Sequence, residues 1–277
     1  MITELTRTFS VDDVNLAWDR WGATGDDTLP FFLCHGYSGS SHDWALVAEE
    51  LAENREVVTV DHRGHGRSQK LGSLDRYSIE RIADDLIALL DAEVGPVDLL
   101  GHSMGGAVAL RVVLARPDLV RSLILMDTSG WSFRPIDEGV AAMMSAFMAA
   151  FDPARGLPDL SSMVGPEDAL ITAATTSEWQ AMKAEMAAAF DPYAMKALGN
   201  DLFNSDLSWV RPRLAEVNCP VTVVVGSNDH PFIDQADDLA AAVVDGRVAV
   251  IDGAYHSPQL THRDAWLQAV TTHLSRT

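Results

Sequence analysis

Short apolar segments alternate with amphipathic segments along most of this 277-residue chain, and this alternation limits the possible folds more than any other feature. The apolar segments are nearly continuous, as in parallel strands that are covered on both faces of a sheet. They cover residues 30–34, 56–60, 97–100, 122–126, 221–225 and 247–251. Residues 79–90 carry apolar side chains at helical spacing. The alternation predicts an α/β fold with a parallel sheet and right-handed crossovers.

Other segments complete this pattern at both ends of the chain. Residues 6–22 predict an N-terminal hairpin, because polar and apolar side chains nearly alternate on either side of a turn at residues 11–13. Helices are predicted for residues 104–115 and 235–244. A last helix is expected from Pro258 to about residue 274, since proline suits a first helical turn.

The alternation stops between Met126 and Val221, a stretch too long for a loop in a compact domain. Its central part is rich in alanine and holds 7 of the 10 methionines, and its segments have helical character. We therefore predict a core domain of residues 1–129 and 211–277, interrupted by an α-helical cap of residues 130–210. The apolar residues of the cap either pack the insert or line a pliable pocket, for which methionine is well suited. Pocket candidates are Gly36, Trp131, Phe147 and Trp179.

A candidate nucleophile follows the third apolar segment. Gly101-His102-Ser103-Met104-Gly105-Gly106 matches the pattern G-x-S-x-G between a strand and a helix. A serine on so sharp a turn needs neighbours almost without side chains, and Gly101 and Gly105 meet that need. The turn exposes Ser103 Oγ and places the Met104 N–H at a helix N-terminus, where negative charge is favoured. We interpret His102 as a residue that shapes this turn.

A second N–H donor is expected after the first parallel strand, in the loop His35-Gly36-Tyr37-Ser38-Gly39-Ser40. Gly36 allows the backbone to approach a ligand closely, so that the Tyr37 N–H can point at the same oxygen as the Met104 N–H. Two such donors form an oxyanion hole.

These two motifs, together with Asp61-His62-Arg63-Gly64-His65-Gly66-Arg67-Ser68, resemble the α/β-hydrolase superfamily in its cap-bearing branch of serine esterases, lactonases and C–C hydrolases. The resemblance extends over essentially the whole chain and is weakest in the insert. It implies a mostly parallel eight-stranded sheet with helices on both faces and an inserted α-helical cap. It also implies that Asp61 and Arg63 hold neighbouring turns together.

The family's order of nucleophile, acid and base implies a catalytic triad of Ser103, Asp229 and His256. Asp229 follows a strand, where sites in open α/β sheets lie, and His256 follows the last strand. The resemblance implies that His256 takes the Ser103 proton and that Asp229 orients the imidazole. Asp127, at the end of the preceding strand, remains the alternative acid because some family members carry it there.

Such a triad with two amide donors is suited to acyl transfer. A serine nucleophile argues against the haloalkane dehalogenase and epoxide hydrolase relatives, which use aspartate. We predict a carboxylesterase for small to medium, mainly apolar esters. An enol-lactonase or a C–C bond (meta-cleavage product) hydrolase is the alternative, and a hydrolase-fold sensor of small ligands is the alternative from another class.

Composition excludes several other functions. The formal charge of −20, from 28 Asp and 12 Glu against 17 Arg and 3 Lys, argues against nucleic acid or an anionic membrane as a partner. We interpret it as a solvated acidic shell. Cys34 and Cys219 lie in apolar runs and are expected to be buried, reduced hydrophobes.

The remaining motifs predict neither a metal nor a cofactor. His62 and His65 do not form the tight cluster of a binuclear metal site, and the glycine-rich segments do not match a phosphate-binding loop. Neither a signal peptide nor an apolar run of about 18 residues is visible. We expect a cytoplasmic monomer or small homo-oligomer that acts on a small-molecule ester.

Overall fold

The computed structural model describes residues 5–22, 28–133, 137–158, 165–204 and 210–277. Eight strands in these residues form one sheet. The strands are β1 (Leu5–Val11), β2 (Val14–Trp21), β3 (Phe31–Cys34), β4 (Val57–Val60), β5 (Val97–His102), β6 (Val120–Met126), β7 (Pro220–Gly226) and β8 (Asp245–Ile251).

The strand order confirms the predicted sheet. It runs β1-β2-β4-β3-β5-β6-β7-β8, with β1, β2 and β4 paired antiparallel and all pairs from β4 to β8 parallel. The chain proceeds from β3 to β4 on one side and then crosses to β5 on the other. The carboxyl ends of β3 and β5 therefore form a topological switch point, where open α/β sheets bind ligands.

Helices cover both faces of this sheet and fill the long segment between β6 and β7. They are α1 (Ala45–Leu51), α2 (Ile79–Leu89), α3 (Met104–Ala115), α4 (Glu138–Ala150), α5 (Pro166–Ala174), α6 (Ser177–Ala188), α7 (Pro192–Phe203), α8 (Ala236–Ala242), α9 (Pro258–Thr261) and α10 (Arg263–Leu274). Helices α4 to α7 lie within the segment predicted to be the cap.

Alternate residues of each strand enter two separate cores. Phe32 packs with α2, α3 and α8 on one face, whereas Phe31 packs with Trp44 and Trp266 on the other. Residues 104–113 of α3 are all buried, including Arg111, which forms an ion pair with Glu80, so this helix lies inside the molecule. The nucleophile candidate at its N-terminus is thus attached to a buried helix.

Three local features differ from the sequence-based expectations. The expected C-terminal helix is divided into α9 and α10, because His262 leaves the helical region of the backbone at φ −133° and ψ 49°. Helix α1 has no counterpart among the predicted helices. Cys34 is fully buried as expected, but Cys219 is only partly buried.

None of the helices in the described part of the chain combines the length and hydrophobicity that crossing a membrane requires.

Candidate active site

Ser103 occupies a sharp turn between β5 and α3. Its φ of 54° and ψ of −121° are rarely adopted by residues other than glycine. A Cβ added to Gly101 would lie 2.6 Å from the carbonyl carbon of Gly105. A Cβ added to Gly105 would lie 2.6 Å from the carbonyl oxygen of Cys34. The two glycines are therefore required by the close approach of the backbone, and Ser103 itself is only 8% exposed.

Hydrogen bonds from β6 and the loop after it hold this turn. The Ser103 N–H donates to the Met126 carbonyl at 2.9 Å, and the Thr128 hydroxyl donates to the Ser103 carbonyl at 2.7 Å. Because both bonds involve the Ser103 backbone, they can maintain its strained conformation while leaving Oγ available for chemistry.

A candidate acid–base pair forms between the loops after β7 and β8. His256, after β8, donates from Nδ1 to Asp229 Oδ2 at 2.7 Å, and Asp229 lies in the turn after β7. Burial opposes the charged imidazole, but the hydrogen bond and negative charge of Asp229 outweigh it, so the pKa of His256 lies above the ordinary 6.5. This bond orients the ring with Nε2 free to act as a base.

His102 supports the base from the nucleophile's own strand. Its Nε2–H donates to the His256 carbonyl at 2.8 Å, and the two rings lie 4.7 Å apart between centroids. Burial, followed by the neighbouring His256, keeps the pKa of His102 well below 6.5. His102 is therefore neutral, and it links the serine turn to the loop that carries His256.

The loop after β3 lies directly against the nucleophile. A Cβ at Gly36 would come within 3.1 Å of Ser103 Cβ, so the Gly36-Tyr37 backbone passes close to the serine. Met104 is the first residue of α3, and its N–H has no acceptor within the helix. The structure thus brings the backbone of both predicted oxyanion donors beside Ser103.

Buried side chains anchor this loop on both sides. His35 donates from Nδ1 to the Gly36 carbonyl at 2.8 Å and accepts the His62 N–H on Nε2 at 3.0 Å, which defines a neutral tautomer. On the other side, the Tyr37 hydroxyl donates to the Met195 carbonyl of α7. These contacts hold the loop in place before any ligand binds.

The segment of residues 61–68 joins neighbouring turns, as the resemblance implies. Asp61 accepts the Ser41 N–H at 2.7 Å and the Arg67 Nε–H at 2.9 Å. Arg63 forms a two-point ion pair with Asp85 of α2, with both distances 2.6 Å. These paired charges are structural and lie outside the substrate cavity.

His62 and His65 are buried in this same region. Burial lowers the pKa of His62 to about 3 and that of His65 to about 4, so both rings are neutral at physiological pH. Across the described ranges, no group of three or more His, Cys, Asp or Glu residues is arranged to hold a metal ion.

Ser103 and His256 share a cavity of about 480 Å³ beneath α4 to α7. Gly36 and Trp179 line it, as predicted for the pocket. The remaining apolar walls come mainly from the cap and from the loops after β7 and β8. These residues are Phe133, Met144, Ile171, Leu202, Phe203, Phe232 and Leu260.

The other two predicted pocket residues lie elsewhere. Helix α4 presents Met144 to the cavity, whereas Phe147 stacks on Phe151 and borders a separate surface depression. Trp131 lies under the guanidinium group of Arg211, which is 4.5 Å from the ring centroid.

These features are shared with a large family of known proteins. The family model described as the α/β-hydrolase fold matches residues 30–263. This chain belongs to the α/β-hydrolase fold family. The family match confirms the resemblance seen in the motifs of the sequence.

Individual relatives of this chain differ in the activity that their names give. It is 36% identical to a 2-hydroxymuconate semialdehyde hydrolase from Pseudomonas sp. strain CF600 over 136 residues, which are 48% of this chain and 47% of that protein. The match thus covers less than half of the length of that relative. The chain is also 37% identical to an sn-1-specific diacylglycerol lipase from Danio rerio, over 42% of this chain and 36% of that protein. The sequence matches therefore define the family more firmly than the substrate.

Solved structures match over nearly the full length. A thermophilic esterase from Thermogutta terrifontis has a TM-score of 0.76 at 23% identity, with 99% of this chain and 98% of that one covered. The enol-lactonase from Burkholderia xenovorans LB400 also has a TM-score of 0.76, at 20% identity, with 97% and 100% covered. At such identities the likeness shows the fold.

Two carboxylates and one ammonium group also line the cavity that contains Ser103 and His256. Lys183 of α6 forms an ion pair with Asp43, and Asp43 also accepts the Ser40 N–H at 3.2 Å. Asp168 accepts the Gly165 N–H at the start of α5 at 2.6 Å. The positive charge of Lys183 is thus neutralised by its neighbour.

One residue of α5 contacts the loop that carries His256 and was not identifiable from sequence. Glu167 of α5 accepts the N–H of Ser257, the residue after His256, at 2.6 Å. Its negative charge also contributes to the raised pKa of His256. The sequence contains no signal for this contact, because the two residues are 90 positions apart.

Trp179 lines both the active-site cavity and a second cavity of about 500 Å³, whose lining also includes Met182 and Met186. Its indole stacks on the His42 ring at 5.2 Å. The Trp179 indole donates to the His42 carbonyl at 3.3 Å, and the His42 ring donates to the Trp179 carbonyl at 3.0 Å. These reciprocal bonds hold the tryptophan at the wall of both cavities.

Proposed function

We propose that this α/β hydrolase is a carboxylesterase for small to medium, mainly apolar esters. The observation that carries the proposal is that Ser103 and His256 line a single cavity whose other walls are largely apolar. Such a cavity favours a neutral acyl or alcohol group next to the serine.

The proposed reaction begins with attack of Ser103 Oγ on the ester carbonyl while His256 Nε2 takes the serine proton. The oxyanion is stabilised by the Tyr37 and Met104 N–H groups. Asp229 holds the imidazole and stabilises its charged form. His256 then gives the proton to the departing alcohol, leaving an acyl-enzyme on Ser103.

Water completes the cycle by the same route. His256 takes a proton from water as its oxygen attacks the acyl carbonyl, and the proton returns to Ser103 Oγ as the carboxylic acid leaves. The scheme balances with water alone and requires neither a metal nor an organic cofactor.

The charges in the cavity favour neutral substrates over those with a carboxylate. Lys183 could pair with a substrate carboxylate only by giving up Asp43, and Asp168 adds a further negative charge to the lining. A carboxylate in this cavity would therefore be desolvated without a free cation among the described lining residues.

An enol-lactonase or a C–C bond hydrolase is the second candidate. Similarity to the semialdehyde hydrolase and to the enol-lactonase favours it, together with the presence of Lys183 at the cavity wall. A ligand sensor is the candidate from another class, and it would bind these molecules without turning them over.

The deciding experiment compares wild type with Ser103→Ala on p-nitrophenyl acetate and butyrate, on an enol-lactone and on a vinylogous diketone. We expect many turnovers of the esters by wild type and a loss of more than about 10³-fold in the variant. Turnover of the lactone or the diketone that is faster than that of the esters would support the enol-lactonase or C–C bond hydrolase instead. Binding without turnover would establish the sensor.

A further inference from the structure

Asp127 is held in an unfavourable backbone conformation beside the triad. It follows β6 directly, its φ is 46°, and its N–H donates to the Val224 carbonyl of β7 at 2.9 Å. Its side chain is fully buried. Residues other than glycine seldom adopt a positive φ, although aspartate tolerates it better than most. The fold therefore directs a buried carboxyl group towards the end of β7.

The two oxygens of this carboxyl group have different surroundings. Oδ1 accepts the Gly226 N–H at 2.9 Å. Oδ2 is buried, and no donor from the described residues reaches it. Gly226 also links Asp127 to Asp229, the triad acid of the proposed function, because the Asp229 N–H donates to the Gly226 carbonyl at 3.1 Å. The charge of Asp229 and a side-chain hydrogen bond with it both raise the pKa of Asp127. Two ionised carboxylates cannot share such a contact, whereas one proton between them makes it a hydrogen bond.

Asp127 is the better of the two residues to hold that proton. Asp229 accepts the His256 N–H at 2.7 Å and keeps 10% of its side chain exposed, whereas Oδ2 of Asp127 has neither solvent nor a donor among the described residues. Burial, followed by the charge of Asp229, raises the pKa of Asp127 well above its usual range, and the charge of Glu167 acts in the same direction. Among the described residues, Asp229 and Glu167 are the charged groups that act most strongly on Asp127.

We propose that Asp127 is a protonated positioning residue, which donates a hydrogen bond from Oδ2 to the carboxylate of Asp229. The inference rests on the proposed triad and deepens it. Asp229 then lies between two donors, Asp127 and His256, which fix the plane of its carboxylate. The orientation of the His256 ring follows from that plane.

Substituting Asp127 by asparagine or by glycine tests whether it acts as a protonated hydrogen-bond donor or as an ionised acid. Asp127→Asn keeps an oxygen for the Gly226 N–H and provides an amide donor for Asp229. Asp127→Gly accepts the positive φ but removes both hydrogen bonds. Asp229→Asn serves as the comparison, because it removes the charge that the imidazole requires. The kcat/KM for p-nitrophenyl butyrate is measured from pH 5 to 9 for each variant.

We expect Asp127→Asn to stay within about threefold of wild type, since one neutral donor replaces another. Asp127→Gly should lose about tenfold to a hundredfold through misplacement of the base. Its acid limb should also move to higher pH, because the unshielded Asp229 charge raises the pKa of His256. Asp229→Asn should lose about 10⁴-fold.

Two outcomes would overturn the inference. An Asp127→Asn loss as large as that of Asp229→Asn would show that Asp127 acts in its ionised form. An Asp127→Gly variant with the wild-type rate and pH profile would show that it positions nothing. If the glycine variant does not fold, the two asparagine variants alone decide between a protonated and an ionised Asp127.

The same variants can be compared without an ester substrate by measuring the rate at which a fluorophosphonate labels Ser103. Wild type that is labelled rapidly but hydrolyses no ester would contradict the carboxylesterase proposal only. The same ranking of variants in the labelling rate would still support the role of Asp127, and equal rates for wild type and all three variants would exclude it.

Discussion

Helix α7 and helices α5 and α6 lie in the same insert but are attached to the molecule in different ways. Five residues of α7 are buried, whereas α6 buries Trp179 alone and none of the nine residues of α5 is buried. The carboxylate of Asp191, at the N-terminus of α7, also accepts the N–H groups of Leu71 and Gly72, at 3.0 and 2.9 Å. Helix α7 is thus packed and bonded as a part of the core.

Helices α5 and α6 instead contact the core mainly through polar pairs near the site. These pairs are Glu167 with Ser257, Lys183 with Asp43, and Trp179 with His42. The comparison indicates that α7 contributes to stability, while α5 and α6 form a cover whose contacts affect substrate binding and the base. Substitutions in α7 should therefore change the free energy of unfolding, whereas substitutions in α5 and α6 should change kinetic parameters.

The largest effect is expected from removing buried volume in α7. Leu198→Ala should lower the free energy of unfolding by about 2–5 kcal/mol, because Leu198 is 0% exposed and its loss leaves a cavity. Leu170→Ala in α5 is the matched control, since Leu170 is 39% exposed and should cost less than about 0.5 kcal/mol. Urea unfolding measures both values, and equal losses would remove the distinction between the helices.

A change in chain-length preference is expected at Trp179. Trp179→Ala should join the two cavities and raise the ratio of kcat/KM for p-nitrophenyl octanoate over acetate by about tenfold. Met186→Ala enlarges the second cavity without opening the wall, so its ratio should remain that of wild type. An unchanged ratio in the tryptophan variant would mean that Trp179 does not limit the length of the substrate.

The smallest effect concerns the pH dependence of the base. His256 must be neutral to accept the serine proton, so activity rises as pH rises through its pKa, which lies above 6.5. Glu167→Gln removes a negative charge that favours the imidazolium, so the acid limb of kcat/KM should move to lower pH. KM should stay unchanged, because the amide oxygen can still accept the Ser257 N–H.

Two further variants test this assignment. Glu167→Ala should show the same displacement together with a KM raised by about threefold, since the contact with Ser257 is lost. Glu185→Gln removes an equal charge from an exposed position on α6 and should leave the profile unaltered. If the Glu185 variant moved the acid limb as far as the Glu167 variants, the effect would reflect net charge rather than the contact.

Much of the fold and the turn at Ser103 were predictable because their signals are local. A buried parallel strand requires a continuous apolar run, and the glycines around Ser103 are adjacent to it in the sequence. The choice between Asp127 and Asp229 was not local, because each aspartate follows one of two neighbouring strands. Only the contact of Asp229 with His256 and the full burial of Asp127 distinguish them.

The pocket was the least predictable region for a related reason. Helix α4 buries only two residues, and helix α5 buries none. Their sequences therefore contain no apolar stripe that identifies the face turned towards the protein. Met144 therefore lines the cavity where Phe147 was expected. The contacts of Glu167 and Trp179 join residues 90 and 137 positions apart, beyond the reach of any local pattern.

The sequence by itself determined the α/β sheet, the serine turn and the membership in a family of hydrolases, because these depend on periodicity and on side chains that are neighbours in the chain. Only the tertiary structure decided which aspartate meets His256, which residues of α4 to α7 line the cavity, and how α5 and α6 are attached. Those properties depend on which distant segments share a buried volume, where desolvation, hydrogen bonds and neighbouring charges together set the charge of each group.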